Sequence, residues 1–439
     1  MRVFSEELMS RAAAACNIKD FRAASIMETS QASSWLEKET GIPFIHLELG
    51  SPGFSPNPWG VAAEKEALDL GYGAQYPPLG GLPKARQAVS RFLKSFLDIE
   101  LPADCCMITS GSMQGSLVSF ISLTQRVPGK DKILFLNPCF SSQRNQLSML
   151  GVGYRAVEEY GCRGEALVAR IGEELSRGDI AALIYSNPSN PAWTCLEESE
   201  LKGIAAQCER YDTIPIEDLA YFGMDFRHEG YGTPGKAPYP PTIARYTSRF
   251  VLLLSSSKIF SFAGQRAAAM CIGEPLARAH YPALAQRYHG IGEFAHTVEA
   301  DLIDLMSCGT AMTVQYAFAR MLELSCEGVI DFVGDTAEYG RRAARMKEIF
   351  LRHGFSVVYD RDLSAPTGDG FFFTLGYPGM SGAELASELV AYGVAVVNLK
   401  ASGSVREGVR ICSSRISGSQ FDVLESRMSD FAEDHPSAR

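Results

Sequence analysis

This chain has no apolar run long enough to cross a membrane, and its opening segment, Met1 to Asn17 with Glu6, Glu7 and Arg11, lacks the hydrophobic stretch of a signal peptide. The expectation is a cytoplasmic protein with no membrane partner. Positive charge is also in short supply: 41 Lys and Arg face 51 Asp and Glu, a formal net charge of -10. Such a surface argues against nucleic acid or anionic lipid as a partner. Paired cysteine motifs are missing. The 11 cysteines are odd in number and include the neighbours Cys105 and Cys106, but no Cys-x-x-Cys, so neither a disulfide framework nor a zinc site is implied. The 7 histidines form no His-Glu-x-x-His pattern, and no metal is expected. Internal repeats and low-complexity tracts are absent. What is present is ordinary for a globular enzyme: 46% hydrophobic and 21% charged residues over 439 positions. That length exceeds one simple core and suits two closely packed domains able to bury a deep site.

Strand-like apolar runs, Lys132 to Leu136, Ile180 to Tyr185, Ile214 to Ile216, Phe250 to Leu254 and Ala268 to Ile272, alternate with amphipathic stretches. This rhythm predicts an α/β fold with a mostly parallel, helix-covered sheet. Ligands gather at the carboxyl ends of such strands. From Met312 the pattern changes to helical stretches, Met312 to Leu324 and Asp331 to His353, followed by short strand-like pieces at Phe371 to Leu375 and Val394 to Val397. The expected division is an N-terminal segment over 1–55 packed on the small domain, a large domain over 56–311, and a smaller α+β domain over 312–439. The Gly- and Pro-rich stretch His228 to Pro241 reads as an irregular surface loop.

Lys258 follows the run Phe250 to Leu254, stands among Ser255, Ser256, Ser257 and Ser261, and precedes Arg266 by eight residues. A lysine amine desolvated beside cationic groups gives up its proton more readily and can then attack a carbonyl to form a Schiff base. The Arg266 guanidinium and the hydroxyls of Ser255 and Ser257 suit a phosphate dianion. Lys258 is therefore a candidate anchor for a phosphorylated aldehyde; taken alone, a solvated lysine at a turn competes with this reading.

Asp218 ends the strand-like Ile214-Pro215-Ile216 segment, where a buried carboxylate would hold a protonated pyridine nitrogen and turn the ring into an electron sink. A helix N-cap is its rival role. Tyr221, three residues on, and Asn190, in the turn Asn187-Pro188-Ser189-Asn190-Pro191, could both bond the phenolic oxygen of such a ring. Ser112 and Met113 open a helical stretch, so their backbone amides would face a phosphate. Phe140 could stack on the ring, and Tyr76, beside Pro77 and Pro78, could offer its hydroxyl to the phosphate. Arg410, in the alternating Val409-Arg410-Ile411, would clamp an α-carboxylate with two bonds, with Arg406 and Arg415 as nearby rivals and a structural ion pair as the alternative. Gly50 would let a backbone amide approach that carboxylate.

In order and spacing these segments resemble the motifs of the class I/II aminotransferases, the fold-type I enzymes that depend on pyridoxal phosphate. The resemblance runs from about Leu47 to Ser417 and rests on Gly50 to Phe54, Tyr76 to Gly81, Ser110 to Gln114, Phe140, Asn187 to Pro191, Asp218 with Tyr221, Ser255 to Arg266, and Arg410. It implies pyridoxal 5'-phosphate as cofactor, an L-amino acid and a 2-oxo acid as substrates, and a homodimer in which Tyr76 is donated by the neighbouring chain. Lys258, Asp218 and Tyr221 would be catalytic, and Gly50 and Arg410 would bind substrate. The stretch ahead of Gly50 is expected to be too short for the winged helix of related regulators.

Two departures from the family pattern bear on the activity. Pro191 is followed by Ala192-Trp193 where many relatives carry Thr-Gly, and Asn398-Leu399-Lys400 stands in place of Pro-Gly-Ser, followed by Ala401 and Ser402. The nearest alternatives to transamination are thus elimination, replacement or carbon-carbon bond formation on the same fold, and then a non-catalytic sensor that keeps the pocket. Phe371-Phe372-Phe373 and Trp193 raise the expectation of an apolar side-chain pocket, with buried strand packing as the competing role of the phenylalanines.

Overall fold

The computed structural model describes residues 2–436. A seven-stranded sheet forms its centre. We number the strands along the chain as β1 (Cys106–Ser110), β2 (Lys132–Asn137), β3 (Gly153–Glu158), β4 (Ile180–Ser186), β5 (Ile214–Leu219), β6 (Val251–Ser255) and β7 (Ala267–Ile272). In space they run β1-β7-β6-β5-β4-β2-β3. Only β7 opposes its neighbours, being antiparallel to β1 and to β6, while the other pairs are parallel. The sheet is therefore mostly parallel, as the alternation of apolar runs and amphipathic stretches implies.

Every residue of β5 and β6 is buried. Successive side chains point to opposite faces, so both faces are covered, and the strands read as continuous apolar runs. The β3 strand lies at the sheet edge and is largely exposed, which is why Gly153-Tyr154-Arg155-Ala156 carries no such run.

A second unit is built on β8 (Ser356–Val357), β9 (Phe372–Gly376), β10 (Val397–Asn398) and β11 (Val409–Cys412), antiparallel throughout in the order β10-β11-β9-β8. Helices Glu338–Arg352, Gly382–Ala391 and Gln420–Asp434 close over it, burying Met346, Phe350, Leu385, Leu389, Leu424 and Met428 in a core of its own. The N-terminal residues join this unit. Ile45–His46 pairs in parallel with Val394–Ala395, and Phe4, Leu36 and Phe44 pack with Val390 and Ala395. Helix Met312–Cys326 packs elsewhere than the division at 312 would put it: Phe318, Met321 and Leu322 lie in the main core, against helices Pro58–Asp69 and Pro83–Leu97. Periodicity marks its apolar face but not the partner that face meets. The second core begins further on, where Tyr339 still belongs to the first and Ala343 to the second. Among the described residues no helix is long and apolar enough to cross a membrane.

Candidate active site

The carboxyl ends of the central strands meet the second unit around a cavity of about 270 Å³. Gly50, Ser112, Met113, Phe140, Asn190, Asp218, Tyr221, Ser255, Ser257, Lys258, Arg266 and Arg410 all line it. Tyr76 does not; it is 83% exposed on the surface.

Lys258 sits on the short helix Ser256–Ile259 that starts as β6 ends. Its Nζ donates to the Gly50 carbonyl and lies 5.4 Å from the centre of the Phe371 ring. Burial pushes its pKa down to about 8, and repulsion from Arg266 and Arg410 adds to the effect. Part of the amine is thus neutral near physiological pH and able to act as nucleophile or base.

Asp218, near the end of β5, accepts from Gln143 Nε2 at 2.9 Å and from the Ala220 amide at 3.1 Å. Both donors are neutral. Burial pushes the carboxyl up to about 6 in spite of these bonds. A cation presented from the cavity would therefore meet an uncompensated carboxylate.

On the side facing the second unit, Asn190 Nδ2 donates to the Tyr221 hydroxyl at 3.1 Å. Burial raises the pKa of that phenol, so it stays protonated and remains a donor. Arg410 Nη1 reaches Asn190 Oδ1 at 3.4 Å, and its Nη2 donates to the Glu48 carbonyl at 2.6 Å. The guanidinium lies 4.6 Å over the Phe372 ring, is almost fully buried, and keeps an unpartnered Nε. It is held in place with donor capacity to spare. The rivals stand apart from the cavity: Arg406 stacks on Tyr160 at 4.2 Å, and Arg415 is exposed.

The remaining end is an anion cradle. Helix Ser112–Arg126 begins after Gly111 with no side chain capping it, which leaves the amides of Ser112 and Met113 to a ligand. Gly111 has φ +77, and a Cβ there would lie 2.1 Å from an Arg266 nitrogen. Only glycine lets Arg266 close over the helix start. Arg266 is steadied by a 2.8 Å bond to the Ala263 carbonyl, and Ser255 Oγ accepts from the Ser257 amide at 3.1 Å.

Two residues at the site stand outside the motifs, Gln143 behind Asp218 and Ile26 on the cavity wall. Gln143 lies three residues after Phe140 on helix Ser141–Leu150, and that helical spacing is the one signal that could have pointed to it. Ile26 opens helix Ile26–Thr40 and lines the cavity with no motif around it. Neither unusual segment contributes a wall. Trp193 is 1% exposed and stands edge-on behind Tyr221 at 5.4 Å, so it backs the tyrosine instead of facing the cavity. In the other segment, Lys400 pairs with Glu407 at 2.6 Å, and the Ser402 carbonyl accepts from the Cys139 amide at 2.9 Å. Of the three phenylalanines only Phe372 reaches the cavity; Phe373 turns into the second core, because neighbours on a strand face opposite ways.

An amine of lowered pKa, a buried carboxylate without a cation and an anion cradle, all in one cavity on a mostly parallel sheet, define a site for chemistry on a phosphorylated aldehyde. The class I and II aminotransferase family matches this chain over residues 44–426, and the chain belongs to that family. A probable aspartate aminotransferase of Methanocaldococcus jannaschii is 25% identical over 232 residues, 53% of this chain and 58% of that protein. The valine–pyruvate aminotransferase of Mycobacterium tuberculosis is 27% identical over 241 residues, 54% of this chain and 57% of that protein. Such alignments span little more than half of each relative. In fold, the chain is similar to an aminotransferase from Mycobacterium tuberculosis, with TM-score 0.75 and 20% identity, covering 94% of this chain and 98% of that one. It is likewise similar to a Thermus thermophilus aspartate aminotransferase double mutant, with TM-score 0.72 and 17% identity, covering 93% and 96%. The cofactor of the family is pyridoxal 5'-phosphate. The cavity fits it: Ser112, Met113, Ser255, Ser257 and Arg266 would hold the phosphate, Asp218 the ring nitrogen, and Tyr221 with Asn190 the phenolic oxygen.

Proposed function

We propose that this chain is an aminotransferase that moves an amino group between an L-amino acid and a 2-oxo acid. The observation that carries this reading is the convergence of Lys258 and Arg410 on one cavity, a proton-transfer group beside a carboxylate clamp. The bound cofactor supplies an electron-withdrawing ring that disperses negative charge from the substrate Cα. Arg410 binds the α-carboxylate and so orients the Cα–H bond. Lys258 Nζ removes that proton and carries it. Asp218 keeps the positive charge it faces in place, and the Tyr221 hydroxyl donates towards the cavity. Such fixed geometry is worth roughly 7 to 11 kcal/mol in effective-molarity terms. The two unusual segments lie outside the cavity wall, so no lining residue favours elimination or replacement.

The chain acts as a homodimer in this proposal, with Tyr76 serving the partner's cavity. In support, Tyr76 stands 83% exposed, and Leu305 at 76% and Met306 at 41% are exposed near Gly309, which packs on Pro77. Eleven unpaired cysteines support a reducing, cytoplasmic location. Replacement of Lys258 by Ala should abolish both turnover and the visible absorption of lysine-linked cofactor, and retention of both would overturn the assignment. Mixing Lys258→Ala chains with Tyr76→Ala chains should restore part of the activity through hybrid dimers. A mixture no more active than its components would refute the shared site.

A further inference from the structure

A second cavity, about 560 Å³ in volume, opens between the loop that follows β5 and the segment that follows the Asn190 turn. It shares no lining residue with the first cavity, yet it is built on the reverse side of the same turns. Asn187 and Pro188 line it just ahead of Asn190, and Leu219 lines it just after Asp218. Its far wall is the hairpin of the second unit, through Asp362 and Ala365. The volume lies within the range of small-molecule sites.

The walls are flat and aromatic. Phe222, Tyr231, Tyr239 and Tyr246 present rings, and Pro188 with the Pro238, Pro240 and Pro241 run presents further planar faces. Most of the charged lining groups are already committed. Arg227 lies 2.8 Å from both Asp225 and Asp362. Glu197 is held in the capping box of helix Glu198–Arg210. Arg245 donates to the Leu97 carbonyl at 3.1 and 2.8 Å and stacks on Tyr239 at 5.2 Å. His228 faces Asp225 at 3.4 Å and the Tyr231 ring at 5.0 Å. Glu198 is different: it is exposed at the rim beside Tyr246, in no ion pair with any described cation. Aromatic faces joined to one carboxylate recognise a cation that is itself flat.

We propose that this cavity is a second ligand site, for a flat organic cation such as an amidine or a protonated aromatic amine, stacked on the tyrosine and proline faces with its charge at Glu198. The first cavity takes ligands of the opposite charge, since Lys258, Arg266 and Arg410 converge there. A cationic probe therefore tells the two apart.

The test is calorimetric titration of the holoprotein with benzamidine, and with benzamide as its uncharged isostere. Benzamidine should bind one equivalent per chain and about tenfold more tightly than benzamide, a factor within the reach of a cation–π contact and one carboxylate. The Glu198→Gln substitution, at an exposed helix start, should bring the two affinities together, and Tyr231→Ala should weaken both. Equal affinities for the unaltered protein would overturn the cation assignment. Absence of binding, or binding displaced by a 2-oxo acid, would overturn the site.

Discussion

Glu217 and Asp218 are neighbours on β5 and almost equally sealed from water, at 0% and 6% exposure, yet they face opposite sides of the sheet. Glu217 accepts from Thr242 Oγ1 at 2.6 Å and from the Ile243 amide at 3.0 Å, and burial pushes its pKa up to about 7. Asp218 accepts from Gln143 and Ala220, and burial pushes it up to about 6. Burial perturbs the two carboxyls to a similar degree. A perturbed carboxyl thus reports burial first and function only when open space lies before it. Glu217 pins the loop after β5 to the back of the sheet, whereas Asp218 faces the cavity that Lys258 and Arg410 share.

The widest gap between the two should appear in kinetics. Asp218→Asn should lower kcat/KM by about 10² to 10³-fold, the usual range for losing one preorganised electrostatic group, while Glu217→Gln leaves it nearly unchanged. Equal losses would erase the distinction.

A smaller effect lies in stability. Both carboxyls are harder to ionise folded than unfolded, so folding favours their protonated forms. That contribution is complete below the unfolded pKa and is lost as pH rises through the folded one. The window runs from 4.5 to about 7 for Glu217 and from 3.8 to about 6 for Asp218. Each carboxyl should cost the cofactor-free protein about 3 kcal/mol across its window, at 1.36 kcal/mol per unit. Thermal melts should fall over that range, and Glu217→Gln and Asp218→Asn should each flatten part of the fall. Bound cofactor should cancel only the Asp218 share, by placing a cation against it. A fall that neither substitution changes would contradict this account.

The least effect concerns the donors. Gln143→Leu removes one bond to Asp218 and should cost about tenfold in kcat/KM, in keeping with a hydrogen bond to a charged group, whereas Thr242→Val, the matching change behind Glu217, should leave activity intact. Equal responses would mean that Gln143 merely packs.

Much of the fold was legible because its signals are local. Fully buried strands such as β6 need continuous apolar runs, and the polar motifs that follow them sit where a parallel sheet presents its strand ends. The edge strand β3 and the packing of helix Met312–Cys326 were hidden, since exposure on one side dilutes a strand pattern and an apolar face does not name its partner. At the site, Asp218, Asn190 and Arg410 stood out as charged or amide groups in short motifs. Gln143 and Ile26 did not, because a helical glutamine looks the same whether or not it braces a distant carboxylate, and an isoleucine near the N-terminus looks the same whether or not it lines a cavity.

By itself the sequence determined the family, the order of the motifs along the chain, and the residue types that one site requires, since these depend on local spacing and chemistry. Only the tertiary structure decided that Gln143 braces Asp218, that Trp193 stands behind Tyr221, and that helix Met312–Cys326 joins the main core. Those choices follow from which face of an element meets which distant segment, and long-range packing alone settles that.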